Sequence, residues 1–156
     1  MKSIKLILIA TLIAFVSVAQ AQKKITISDV YEGKTVVQIA KDHATEAFNA
    51  TKTIYTDGMT EEAFVNECFK NFPSKYDDLR QVFKPYAEFL FSLHSRNLTD
   101  NQVRNQVNGS EFVDCSNAVL AWQLAHPGEN LDGIPWWRKT IHWVAVFFTW
   151  LDEILD

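Results

Sequence analysis

The sequence predicts an all-α fold, a single-domain bundle of five or six mostly antiparallel helices pinned by one disulfide. Apolar residues recur at helical spacing through six consecutive segments, so each segment offers one stripe to a core. Five glycines and four prolines in 156 residues are too few for the many tight turns of a β-sandwich. Short connections set neighbouring helices antiparallel.

Residues 1–21 stand apart from the fold. Lys2 and Lys5 precede an apolar run over residues 6–16, and Ala19-Gln20-Ala21 puts small residues where a signal peptidase reads. The run is about half the ~20 residues a bilayer span requires, so the segment reads as a cleaved export signal and not an anchor. No cysteine follows it to take a lipid. The expected mature domain is therefore residues 22–156, secreted or periplasmic. Gln22 to Ile27 is polar, with Ile25 and Ile27 alternating, as in a short extended arm or a stretch without order.

Six segments follow. In the first, from about Thr35 to Tyr55, Val36, Val37, Ile39, Ala40, Ala44, Ala47, Phe48, Ala50, Ile54 and Tyr55 fall on one half of the helical wheel, with Gly58 as a left-handed cap. The second opens on Thr60 as N-cap, with Glu61 and Glu62 at the positive end of the dipole, and stops at Pro73. The third begins at Ser74, with Asp77 as its capping-box partner, and runs to about Arg96. Its stripe of Tyr76, Leu79, Val82, Phe83, Tyr86, Phe89, Leu90 and Leu93 keeps phase across Pro85, which falls on the polar side. One kinked helix is the reading, with two helices broken near Lys84 as the alternative. A short fourth helix, about Asp100 to Val107, is capped by Thr99 and ends in the turn Asn108-Gly109. The fifth, Ser110 to about Ala125, is apolar on two sides, as a central helix is. The sixth starts at Pro135, a favoured first helical position, and runs to about Leu155 with four of the five tryptophans. Residues 124–135 form the one long polar connection.

Charge excludes some partners. The leader holds two of the fifteen Lys and Arg and none of the nineteen Asp and Glu, so the mature domain carries a net charge of −6. Such a domain has no general attraction for nucleic acid or anionic lipid. Cys68 and Cys115 are an even pair in an exported chain, each on the apolar stripe of its helix. The expected disulfide closes a loop of about 48 residues and contributes on the order of 4 kcal/mol in the chain-entropy account.

Candidate sites are few. Trp136, Trp137, Trp143, Phe147 and Trp150 crowd the last segment, and aromatic residues of this kind dominate protein interfaces. Its charges, Asp152, Glu153 and Asp156 against Arg138 and Lys139, speak against a membrane surface. His43 sits within the apolar half of segment one, with Glu46 three residues on, and His94 lies at the edge of the segment-three stripe. Together they are the candidate pocket. His43, His94, His126 and His142 show no metal-binding spacing, no Cys-x-x-Cys occurs, and neither a nucleophile elbow nor a phosphate-cradling glycine loop is present. No metal and no cofactor is expected. Asn49, Asn97 and Asn108 each begin an Asn-x-Ser/Thr triplet on a polar face or turn. Two functions follow: an exported non-enzymatic protein that binds another protein (an inhibitor, an immunity-type or an envelope-accessory protein), or a small secreted hydrolase or apolar-ligand carrier with His43 and His94 in a pocket.

Overall fold

The computed structural model describes residues 25–126, apart from residues 32, 71 and 73. Residues 1–24 and 127–156 lie outside the described residues, and with them the expected export signal, the expected connection after residue 126, Trp136, Trp137, Trp143, Phe147, Trp150 and His142.

The described chain is mainly helical. A minimal hairpin, β1 (Val30–Tyr31) and β2 (Lys34–Thr35), pairs antiparallel with Val30 opposite Thr35. Gly33 makes its turn at φ +82°, a conformation that favours glycine. Five α-helices follow among the described residues: α1 (Val36–Ala50), α2 (Glu61–Phe69), α3 (Asp77–Ser95), α4 (Asp100–Gln106) and α5 (Ser110–Ala125). A single 3₁₀ turn, Ser74–Tyr76, leads into α3.

The caps explain the helix starts. Thr35 and Thr99 each form a capping box, with Gln38 and Gln102 as the reciprocal partners. Thr60 Oγ1 accepts from the Ala63 amide at 3.1 Å, above the acids Glu61 and Glu62. The capping box expected at Ser74 and Asp77 does not form. Ser74–Tyr76 winds as the 3₁₀ turn, and α3 begins behind Tyr76 without a side-chain cap. α5 starts behind Gly109 at φ +97°, where an added Cβ would stand 3.5 Å from Ile27 and 3.6 Å from Ala40.

Two helix ends differ from the expected ones. α1 stops at Ala50, and Gly58, although left-handed at φ +85°, lies in the following loop. Thr51 is the C-cap: its amide donates to the Ala47 carbonyl at 3.0 Å, and its hydroxyl donates to the same carbonyl at 2.8 Å. A further turn over residues 51–54 keeps Ile54 and Tyr55 in helical phase, which is why the stripe seems to run on. α3 passes unbroken through Pro85, on its exposed side.

Among the described helices α3 packs on α1, α2 and α5, and α1 packs on α3, α4 and α5. Phe83, Tyr86, Leu90 and Leu93 of α3 meet Phe64 and Phe69 of α2 and Phe112 and Val119 of α5 in one continuous core. Burial of each such side chain contributes about 1.5–3 kcal/mol.

This arrangement corrects the disulfide. Cys68 on α2 and Cys115 on α5 are both buried free thiols. Their stripes face the same helix, α3, and α2 and α5 pack against it rather than against each other. A shared apolar environment is not proximity, and two thiols on opposite partners of one helix do not meet. Burial pushes both thiols up to about 12, with a smaller contribution from the adjacent carboxylates Glu67 and Asp114.

Candidate functional site

The two core histidines occupy separate aromatic clusters. His94 stands in the last turn of α3, 7 % exposed. Phe48 stacks on its ring at 4.3 Å and 15°, Tyr55 at 5.3 Å and 12°, and Phe64 leans in at 5.6 Å. Its Nε2 lies 2.8 Å from Thr51 Oγ1. The same hydroxyl reaches the Ala47 and Phe48 carbonyls at 2.8 and 3.2 Å, so Thr51 ties the His94 ring to the end of α1. Desolvation, and secondarily the Lys52 ammonium, lowers the His94 pKa to about 4.

His43, also 7 % exposed, is buried on α1 against Tyr86, edge-on at 5.8 Å, and Phe112 at 5.2 Å. Eight residues along α1 and its following turn separate His43 from Thr51, and eight along α3 separate Tyr86 from His94. At 1.5 Å per residue the clusters lie about 12 Å apart along the bundle. Glu46 faces solvent and takes no part in either.

A third histidine sits at the other end of α3. His126 Nδ1–H donates to the Trp122 carbonyl at 2.7 Å, and its ring stacks on Trp122 at 4.2 Å. Asp78 Oδ2 is 3.8 Å from its Nε2. Only the position of His126 after a helix end hinted at this contact, since it is made from i to i+4 along α5. The three triplet asparagines are all exposed: Asn49 donates to Asp100 at 3.2 Å, Asn108 accepts from the Ser110 amide at 2.9 Å, and Asn97 holds φ +56° behind α3.

The concave feature lies elsewhere. Between α2 and α3, Asn66, Arg80, Gln81 and Lys84 line a cleft of about 90 Å³ floored by Val65 and Phe69. The Arg80 guanidinium sits over the Phe69 ring, 5.9 Å from its centroid.

Comparison with known proteins finds no family model, no curated protein and no solved structure that matches this chain. What the chain does must therefore be argued from its own geometry.

A neutral imidazole with pKa near 4, closed in by three rings, is a weak base and has no carboxylate to orient it. Among the described residues no three His, Cys, Asp or Glu side chains converge as a metal site. Nor is any described helix long and apolar enough to cross a membrane.

Proposed function

We propose that this is an exported helical protein whose role is to bind another protein without catalysing a reaction. The observation that carries this reading is the fate of the two candidate pocket histidines. A hydrolase or ligand carrier built on them requires His43 and His94 to face a common cavity. Instead each is spent in its own ring cluster, and His94 is fastened by Thr51. A cleft between α2 and α3 is lined by Asn66, Arg80, Gln81 and Lys84 and includes neither histidine. The leader-like residues 1–21 support export, to the periplasm or the medium.

The partner surface in this proposal includes the C-terminal aromatic segment. Trp136, Trp137, Trp143, Phe147 and Trp150 supply the rigid amphipathic area that interface hot spots use. The test is site-specific photocrosslinking in the cells that make the protein, with a benzophenone amino acid at residue 137, 143 or 150 and at Gln102 as an exposed control. The expected result is one discrete intermolecular adduct from the aromatic sites and none from residue 102. Purely intramolecular adducts at all three aromatic sites would overturn the proposal.

A further inference from the structure

We infer that the α2–α3 cleft is a carboxylate-binding site, and that it receives an Asp or Glu side chain of the partner protein. The inference rests on the binding role proposed above and names the chemistry by which the partner is read.

The first observation is a difference among cations. Lys34 and Arg104 both hold Asp42, at 3.0 and 2.6 Å. Lys52 holds Asp100 and Lys70 holds Glu67. Lys41 donates to the Arg104 carbonyl, and Arg96 to Gln106 and the Ser92 carbonyl. Among the described lysine and arginine side chains, Arg80 and Lys84 alone have no carboxylate, carbonyl or amide oxygen. They stand four apart on α3, so they share a face and repel one another. The nearby acids do not compensate: Asp77, Asp78 and Glu88 lie within a turn on the same helix, yet none pairs with Arg80 or Lys84, and Glu67 of α2 is taken by Lys70. No acid lines the cleft. In a chain of net charge −4, a cationic cleft left without acids is an unspent recognition element.

The second observation is shape. A volume of about 90 Å³ is close to three water molecules at roughly 30 Å³ each, which suits a carboxylate on one or two methylenes and not a whole cofactor. The Arg80 guanidinium, its Cζ 5.9 Å from the Phe69 centroid, can meet the two oxygens of a carboxylate with its fork, and Lys84 adds a point charge. Among the described residues the Asn66 and Gln81 side-chain amides have no hydrogen-bond partner, and both are exposed, so their N–H groups stand open at the same mouth. Val65 and Phe69 offer apolar contact to the methylene stem.

The test is an NMR titration of the purified ¹⁵N-labelled protein at constant ionic strength. The probes are N-acetylglutamic acid α-amide, which carries one side-chain carboxylate, and inorganic phosphate. Arg80 Nε–Hε and the Asn66 and Gln81 side-chain amides should shift and saturate with the carboxylate, with a Kd of about 10 mM or below for so small a fragment. R80Q/K84Q should weaken it at least about tenfold with an unchanged circular dichroism spectrum. K84Q alone, at an exposed position, should weaken it less and guards against a folding defect. Shifts that rise linearly, or saturate equally in R80Q/K84Q, would overturn the site. Saturation by phosphate and not by the carboxylate would overturn the partner chemistry. Because the titration contains no partner, its failure is separable from a failure of the crosslinking from residues 137, 143 and 150.

Discussion

Asn117 clamps Ile25 at both ends of one residue's backbone. Its Oδ1 accepts from the Ile25 amide and its Nδ2 donates to the Ile25 carbonyl, each at 3.0 Å and across 92 residues of chain. The segment before β1, which turns at residues 27–28, is thereby fixed to α5, and the Ile25 side chain is 1 % exposed. Asn117→Ala should cost about 1–3 kcal/mol, because two part-buried backbone groups lose their partners together. Urea unfolding gives the magnitude. Hydrogen exchange at the Ile25 amide gives the location: protection should vanish there while the α3 core keeps its own.

The His94–Thr51 pair makes stability depend on pH in a defined window. His94 titrates near 4 in the folded chain and near 6.5 when unfolded, so between those values the unfolded chain binds more protons. Stability is full above pH 6.5 and falls as the pH drops towards about 4, by on the order of 2–3 kcal/mol. Asp42, lowered by its hydrogen bonds to Arg104 and Lys34, acts only below that window, as the pH falls past the ordinary carboxylate value of 3.8. His94→Phe keeps the ring stack and removes the titration. Its plot of unfolding free energy against pH should be flat from pH 6.5 to 4 where the parent slopes. A parent plot already flat over that range would show that His94 is not held neutral.

Both cysteines should be silent in the folded protein. Each thiol is buried and raised to about 12, so the thiolate that reacts is scarce at neutral pH. A thiol-reactive chromogen should label none in the native state and two per chain in denaturant. A reductant should leave the melting temperature unchanged, whereas loss of a native disulfide would lower it by several degrees.

The helical stripes were readable because they are local. Phe64, Val65, Cys68 and Phe69 of α2, and Leu79, Phe83, Tyr86, Leu90 and Leu93 of α3, recur at the helical period and are the residues found buried. Contacts across the chain were not readable. Nothing around Asn117 marks it out to reach Ile25, and the 43 residues between Thr51 and His94 hide their hydrogen bond. The disulfide was misjudged for the same reason: position on a stripe tells which way a cysteine faces, and α3 turned out to be what both cysteines face. The cleft was missed because Arg80 and Lys84 look like an ordinary solvated face until their missing partners are set against every other paired cation.

The tryptophans separate an interface from a core without knowledge of the partner. Trp122 is 8 % exposed and stacked on His126, so it serves as an internal shielded reference. Trp136, Trp137, Trp143 and Trp150 are the other four of the five. A surface that awaits a partner keeps them within reach of solvent in the isolated protein. Acrylamide should then quench a major accessible fraction of the fluorescence and leave a minor resistant one, and light scattering on the eluting peak should show a monomer. Quenching confined to a small fraction in a monomer would put the aromatic segment in the core and remove it from the binding proposal. Shielding that appears only as the protein dimerises would make a second copy of this chain the partner, and the carboxylate for the Arg80–Lys84 cleft would then come from the chain's own acidic surface.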